Sequence, residues 1–175
     1  MTFILRITLI VLSLLLLWPE FERYRAEWML GDANARLEGV LHGTLKGHTA
    51  IVATDAAIAL SQHAAQLLPD DPRPQLSESV ALLLRQRGAQ VIALLEPAIT
   101  AGERPELTLN LGRARGISGD QAGANAAFLR TAWANPAAIA TLPKAIRDPL
   151  LERVGELEAQ LRAGQLQRAP SLQAR

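Results

Sequence analysis

PELTLNLGRARGISGDQAGANAAFLRTAWANP, residues 105–136, is the stretch that decides the fold. Pro105 suits the first turn of a helix, where its missing N–H leaves no hydrogen bond unmade. The apolar residues that follow recur at intervals of four and three, so they share one helical face: Leu107, Leu111 and Ala114. Gly116 and Gly119 are expected to break this helix, because glycine tolerates the positive φ of a tight turn. The stretch therefore predicts two short helices folded back on each other.

The second of these helices is expected to begin at a capping box. In that motif Ser118 and Gln121 satisfy N–H groups that the first helical turn leaves without partners. Four residues are predicted to line its buried side, with Phe128 on the flank: Ala122, Ala126, Leu129 and Trp133. Pro136 marks a point where the helix has already ended, since proline disfavours a helical residue before it.

The spacing of this stretch resembles the tetratricopeptide repeat. In that family small residues lie where two helices cross, a large apolar residue fills the gap, and a proline ends the unit. Residues of these types stand at the matching offsets: Leu111, Gly112, Gly119, Ala124, Phe128 and Pro136. Two positions depart from the family pattern. Arg115 stands where an aromatic residue or leucine is usual, and Thr131 stands where alanine is usual.

The preceding residues 77–105 repeat this plan, with matching residues at Val80, Ala81, Leu84, Gly88, Ala93 and Pro105. Pro97 falls at the position of the large apolar residue, so the second helix of this unit is expected to be kinked or shortened. A weaker half-match comprises Ala57, Ala64 and Pro69. Over residues 33–140 the resemblance implies a short α-solenoid of helical hairpins with a concave protein-binding groove. An unrelated antiparallel helical bundle is the alternative.

The composition limits the class of protein. Aromatic residues make up 4% of the 175 residues, and no alternating β-branched runs occur, which favours an all-α fold. A formal net charge of +1 argues against a nucleic-acid binder. The chain contains no cysteine, which excludes disulfides, thiolate metal sites and the lipid-modified cysteine of a lipoprotein.

Residues 3–18, FILRITLIVLSLLLLW, are the most apolar segment. The segment is shorter than the ~20 residues that a membrane helix usually needs, but Arg6 can reach one interface and Trp18 can lie at the other. A cleaved signal peptide would need small residues near its end, and a buried core helix would show a polar side. The segment has neither feature. We therefore expect residues 1–19 to form an uncleaved transmembrane signal anchor.

The predicted anchor also indicates where in the cell the protein lies. A very short N-terminus ahead of an apolar span usually stays in the cytoplasm, which places the rest of the chain outside. Charged residues do not decide the orientation, because the arginines after the span are interleaved with glutamates. The bias toward alanine, arginine and leucine suggests a GC-rich bacterial genome. We thus expect a single-pass protein of the bacterial inner membrane with a periplasmic C-terminal domain.

Residues 20–31 are predicted to extend the anchor as a juxtamembrane helix. Phe21, Tyr24 and Trp28 recur at three and four residues and form an aromatic stripe beyond Trp18. Two interpretations remain open for these four residues. They contact the membrane interface or pack on the first repeat, or they form a docking face for another membrane subunit.

Residues 32–164 are predicted to form the helical domain. Asp32 is expected to cap a helix with an apolar face at Ala33, Leu37, Val40, Leu41 and Leu45. Gly47 and His48 turn the chain into a longer helix bearing Ile51, Ala56, Leu60, Ala64 and Leu67. The proline-rich residues 68–74 are expected to be a stiff link through which no helix runs.

A final helix is expected to begin with Asp148 as its cap and Pro149 in its first turn. It carries apolar residues on one side only, as the closing helix of a solenoid must: Leu150, Val154, Leu157 and Leu161. Gly164 ends this helix, and residues 165–175 are predicted to be a disordered tail.

No arrangement of residues indicates catalysis. His42, His48 and His63 have no second ligand at metal-binding spacing, and neither paired carboxylates nor a nucleophile motif accompanies them. We expect no enzyme, no catalytic or metal site, no cofactor and no small-molecule substrate.

Two arginine pairs provide the candidate for partner binding. Arg85, Arg87, Arg113 and Arg115 stand near the ends of two helices that line the groove in tetratricopeptide domains. The resemblance thus implies that some of them clamp carboxylates of a bound peptide. Alternatively, they are solvated cations that complement the helix dipole.

The sequence predicts a non-enzymatic scaffold in a bacterial envelope assembly of the secretion, pilus or polysaccharide-export type. Its partners would be other membrane or periplasmic proteins, and the bilayer through residues 3–18. The alternative is an accessory subunit of an energy-converting membrane complex, bound through its anchor and juxtamembrane helix.

Overall fold

The computed structural model describes residues 2–165 and 168–171, and in the first helix it describes side chains at 12, 13, 18 and from 20 onward. Helices form all the regular structure of the described residues, which confirms the expected all-α class. They are α1 (Thr2–Leu41), α2 (Gly47–Leu67), α3 (Pro72–Leu84), α4 (Gly88–Ala101), α5 (Pro105–Ile117), α6 (Gln121–Ala134), the 3-10 helix η1 (Pro136–Thr141) and α7 (Lys144–Arg162). The chain forms two compact units, Met1–Glu78 and Ser79–Arg175, which divide within α3.

The first unit is built on α1, a single helix of 40 residues. The cap expected at Asp32 is wrong, since the helix continues through this residue and the Asp32 carboxylate accepts a hydrogen bond from Arg36 at 3.1 Å. The preceding Gly31 weakens a helix by only about 1 kcal/mol. Burial of Ala33 and Leu37 on the next turns offsets that loss. The apolar segment and the juxtamembrane segment are therefore parts of one helix.

The second helix, α2, packs against α1. The expected face is only partly confirmed: Ala64 is buried, Ala56, Leu60 and Leu67 are partly buried, and Ile51 is exposed. The buried residues are Ala53, Thr54, Ala57, Ile58, Ser61 and Ala64. Several faces of an alanine-rich helix have nearly equal apolar character, so periodicity alone does not select among them. The chain turns between α1 and α2, and Gly43 and Gly47 there have positive φ values of 70° and 55°.

The link before α3 is shorter than expected. Pro72 and Pro74 lie in the first turn of α3, where no helical hydrogen bond needs their missing N–H groups. The Asp71 carboxylate accepts a hydrogen bond from the Arg73 N–H at 2.9 Å. No helix runs through the whole of residues 68–74, as expected, but α3 begins within this segment at Pro72.

The helices α3 to α6 repeat with a constant period. Their lengths are 13, 14, 13 and 14 residues, and three residues separate each from the next. From Pro72 to Pro105 and from Gly88 to Gln121 the shift is 33 residues, since 105 − 72 = 33 and 121 − 88 = 33. This is close to the roughly 34-residue period of two-helix repeats. The described helices thus include a duplicated two-helix element.

The 33-residue period changes which residues of α3 and α4 correspond to residues of α5 and α6. The sequence matched Gly88 with Gly119, a shift of 31, but Gly88 opens α4 whereas Gly119 lies in the turn before α6. With the shift of 33, the counterpart of Phe128 is Leu95, which is fully buried, and not Pro97. Pro97 is exposed inside α4, and this helix is as long as α6, so it is not shortened. Ala93, expected at a close contact, is also exposed.

The turn between α5 and α6 follows the prediction only in part. Gly119 has a φ of 85°, as expected for a turn residue, but Gly116 lies within α5. Ser118 is the C-cap of α5, so the predicted capping box is wrong. Asp120 caps α6 instead, and its Oδ1 accepts a hydrogen bond from the Gly123 N–H at 2.8 Å.

The buried face of α6 agrees with the repeat resemblance rather than with simple periodicity. Ala122 is exposed, and Leu129 and Trp133 are only partly buried. The buried residues are Gly123, Ala124, Ala127, Phe128, Thr131 and Ala132. Phe128 therefore lies in the core of the second unit and not on its flank.

The C-terminal helix α7 begins earlier than expected. Pro143 is its N-cap and Pro149 lies in its interior, so Asp148 does not cap it. Val154 and Leu157 are buried, so one side of α7 covers the core, but Leu161, expected on the same side, is 50% exposed. The helix ends before Gly164, which has a φ of 72°. The residues 166–167 and 172–175 of the predicted tail lie outside the described part of the chain.

A search of the described residues for a helix apolar and long enough to cross a bilayer finds none. The predicted anchor falls largely outside that search, because few of its side chains are described: Leu12, Ser13 and Trp18.

Candidate interaction surfaces

Gly112 marks a close approach between α5 and α6. A Cβ atom at this position would lie 2.5 Å from Cε1 of Phe128 and 3.3 Å from the carbonyl oxygen of Ala124. Both distances are shorter than ordinary van der Waals contacts. The close helix contact expected at Gly112 is thus present, and Phe128 fills the space beside it.

A second close approach joins the start of α4 to the end of α5. A Cβ atom on Gly88 would lie 2.7 Å from the carbonyl oxygen of Ala114 and 2.5 Å from Oγ of Ser118. The backbone carbonyl cannot move away as a side chain could. Gly88 therefore fixes the distance between these two helices, a role that differs from the turn position its sequence alignment implied.

Arg113 is half-buried and takes part in a polar network inside the second unit. Its guanidinium donates to Oδ1 of Asn110 at 3.1 Å and to Oγ1 of Thr141 at 2.7 Å. The buried Asn110 amide in turn donates to Oγ of Ser79 at 2.9 Å. Removal from water lowers the pKa of Arg113. This arginine therefore holds η1 against α5.

Arg115 has a different environment. Its guanidinium lies 3.1 Å from a carboxylate oxygen of Glu96 and 3.4 Å from the carbonyl oxygen of Gly123. Only 13% of its side chain is exposed. The arginine that departs from the family pattern at this position thus connects α5 to both neighbouring helices.

Arg113 and Arg115 do not share one face of α5. Arg113 and Arg115 are two residues apart on α5, so their side chains leave the helix about 200° apart. Arg85 and Arg87 flank the turn between α3 and α4, where Gln86 has a φ of 56° and Arg87 occupies the N-cap position. The partner-binding role of each of the four arginines remains a prediction.

The aromatic residues of α1 form an exposed apolar stripe among the described side chains. Trp18, Phe21, Tyr24 and Trp28 are exposed to 63%, 59%, 71% and 62%. The rings of Trp18 and Phe21 lie 6.5 Å apart between centroids. The predicted stripe is thus on the surface, and these exposures do not fit the interpretation that it packs on the first repeat.

Several stabilising contacts had no signal in the sequence. Arg130 on α6 makes a bidentate salt bridge to Glu103 in the turn before α5. Its Nε and Nη2 donate to the two carboxylate oxygens at 2.6 and 2.7 Å. The pKa of the Glu103 carboxyl is lowered by that hydrogen bond, and the pKa of Arg130 is raised by it. Arg73 likewise reaches Glu27 on α1 at 3.1 Å. Pairs separated by 27 and 46 residues become visible only once the fold is known.

The histidines lie apart from any chemical site. His42, His48 and His63 are all exposed, in the turn after α1 and along α2. In the part of the chain that the structure describes, no group of three histidine, aspartate or glutamate side chains is placed to hold a metal ion.

Comparisons with protein-family models, with curated proteins and with solved structures find no match to this chain. The resemblance to tetratricopeptide repeats therefore depends on the residues named above, and membership of that family stays a prediction.

Proposed function

We propose that this chain is a non-enzymatic, membrane-anchored scaffold protein whose helical domain binds other proteins of a bacterial envelope assembly. The observation that carries the proposal is the continuity of α1 from Thr2 to Leu41. At 1.5 Å per residue this helix is about 60 Å long. One end has the apolar sequence of residues 3–18, and the other end packs against α2. A single stiff element would therefore join the bilayer to the helical domain.

The dimensions suit such an arrangement. Residues 3–18 extend over about 24 Å of helix, somewhat less than the ~30 Å hydrocarbon core of a bilayer. Arg6 and Trp18 bracket the segment with the side chains that extend to membrane interfaces. The remaining part of α1 would project into the aqueous phase and carry the hairpin with α2. We propose that this domain lies in the periplasm.

The duplicated helix pairs support protein binding as the role of the domain. Their period, the close contact at Gly112 and the buried pair Leu95 and Phe128 resemble the tetratricopeptide plan. Domains of that family bind peptides or partner proteins in a groove. By this resemblance, we propose that the chain is an adaptor protein of a secretion, pilus or polysaccharide-export system.

The exposed aromatic residues favour a second candidate, an accessory subunit of a membrane complex that is bound through α1. In this case the anchor and the residues Phe21, Tyr24 and Trp28 would make the main contacts with other subunits. The helical domain would then be the exposed cap of the complex.

An anchor exchange separates the two candidates. Residues 3–18 are replaced by an unrelated 16-residue transmembrane sequence, which preserves the length and helical phase of α1, and Tyr24 and Trp28 are changed to serine. Partners are captured in mild detergent and identified by mass spectrometry, beside the wild-type chain. The scaffold proposal predicts that the same partners are recovered. Partners that disappear with the exchange would instead establish the accessory-subunit role.

A further inference from the structure

The exposed aromatic residues lie on the side of α1 opposite its packed side. Ala26 and Leu30 are buried in the first unit, with 0% and 4% exposure, whereas Tyr24 and Trp28 are largely exposed. Successive helical residues rotate by about 100°, so the two sets point nearly 180° apart. The first unit therefore does not cover the aromatic side of α1.

A membrane interface accounts for only part of this stripe. Trp18 and Trp28 are ten residues apart, a distance of about 15 Å along the helix. The polar layer of one leaflet is only about 5–8 Å thick. Trp18 and Phe21 fit within that layer beside the anchor, but Tyr24 and Trp28 extend beyond it on an upright helix. A protein surface is the better occupant for these two residues.

The spacing of the stripe is that of a coiled-coil seam. Phe21, Tyr24 and Trp28 follow at intervals of three and four residues, like the a and d positions of a heptad. The same register continues upstream through Leu14 and Leu17. The sequence thus places apolar residues at both seam positions of two successive heptads.

The charges beside this seam are complementary between two copies in parallel. Glu20 falls at a g position and Arg25 at an e position, and both side chains are exposed. In a parallel pair the g residue of one helix lies near the e residue five positions later on the other. Glu20 would therefore meet Arg25 of the second copy, twice by symmetry. An antiparallel pair would oppose like charges instead.

The next g and e residues, Glu27 and Asp32, would oppose like charges in the same arrangement. Each has a cation beside it within its own chain. Arg73 binds Glu27 as well as Asp71, and Arg36 binds Asp32 at 3.1 Å. These intramolecular ion pairs reduce the repulsion between the two carboxylates in the parallel seam.

We propose that a second copy of this chain docks in parallel on the aromatic side of α1, through Phe21, Tyr24 and Trp28 and reciprocal Glu20–Arg25 ion pairs. This inference rests on the proposed membrane anchor, because insertion in one direction aligns the two copies.

Disulfide trapping tests the seam directly, because the natural chain has no cysteine. Tyr24→Cys places a thiol in the seam of the full-length protein. Arg23→Cys is the matched control, since it is exposed and lies about 100° further around the helix. Membranes from cells expressing each variant are treated with a mild oxidant and analysed without reductant. We expect a covalent dimer severalfold more abundant for Tyr24→Cys than for Arg23→Cys. Equal yields, or no dimer from either variant, would overturn the proposal.

A charge exchange provides a second measurement that does not depend on one cysteine. In the Tyr24→Cys background, Glu20→Arg and Arg25→Glu each create like-charge contacts and are expected to reduce the dimer severalfold. When the two differently tagged variants are expressed together, opposite charges meet again at both positions, and mixed dimers should predominate. Dimer yields that do not respond to these exchanges would refute the parallel register.

Fractionation of the same cells separates failure of this inference from failure of the proposed function. If the protein is monomeric in the membrane fraction, only the proposed dimer contact on the aromatic side of α1 is refuted. Dimeric protein in the soluble fraction refutes only the membrane anchor.

Discussion

Gly112 shows how strongly a single residue sets the packing of the second unit. Alanine at this position would gain about 1 kcal/mol in helix propensity relative to glycine. Its methyl group would, however, approach Phe128 to within 2.5 Å, and that ring is 5% exposed and cannot move into solvent. Overpacking of this kind costs about 1–3 kcal/mol and outweighs the gain in propensity.

We therefore expect Gly112→Ala to lower the free energy of unfolding by about 1 kcal/mol, measured by urea denaturation. Gly155→Ala on α7 is the matched control, because nothing lies within 4 Å of its added Cβ. That control should stabilise the protein by up to about 1 kcal/mol. Equal effects of both substitutions would show that α5 and α6 are not in close contact.

The cap of α6 is a second feature decided by one residue. Asp120→Ala removes the acceptor of the Gly123 N–H and should destabilise the protein by about 1 kcal/mol. Ser118→Ala removes the residue that the sequence motif favoured and should change stability by less than about 0.5 kcal/mol. Thermal unfolding followed by circular dichroism distinguishes the two, and the opposite ranking would restore the capping box at Ser118.

At the scale of helices, the 33-residue shift determines which residue of α4 occupies the core. Leu95→Ala should cost about 2–5 kcal/mol, because it opens a cavity where the side chain is fully buried. Pro97→Ala should instead be neutral or stabilising, since proline interrupts the helical hydrogen bonds and its side chain is exposed. Urea unfolding of both variants tests the shift. A larger loss for Pro97→Ala would favour the 31-residue alignment.

The bond between Glu103 and Arg130 connects the turn before α5 with α6. The folded pKa of Glu103 is lower than the unfolded value of about 4.3, so the bond contributes stability above that pH. The contribution is lost as the pH falls through the folded pKa. In a double-mutant cycle with Glu103→Gln and Arg130→Gln, we expect a favourable coupling at pH 7 that disappears in strong acid. A coupling independent of pH would show that the carboxylate charge is not responsible.

For the whole molecule, the sequence predicted the all-helical class, a helix that begins at Pro105 and a closing helix with one apolar side. It failed where local patterns allow several solutions. On α2 and α6, alanine gives competing faces nearly equal apolar character, and only the neighbouring helices decide which is buried. The continuity of α1 across Gly31 and Asp32 likewise depends on tertiary packing with α2, which outweighs the local signals for a helix start.

For the candidate surfaces too, the sequence predicted only what depends on local helical spacing. The aromatic stripe was predictable because it depends on helical spacing alone. The environments of Arg113 and Arg115 were not, because Thr141 and Glu96 approach them only after α5, η1 and α4 have assembled.

The central claim is that α1 joins a membrane to the helical domain, and membrane fractionation tests it most directly. Wild-type protein is compared with Leu12→Arg, which adds a charge near the middle of residues 3–18, and with Leu161→Arg, which adds the same charge at an exposed leucine of α7. An arginine at mid-bilayer costs roughly 3 kcal/mol in membrane insertion. We expect the wild type and Leu161→Arg to stay with the membrane after alkaline carbonate extraction, and Leu12→Arg to be released in large part. Release of the wild-type protein by carbonate would contradict the account.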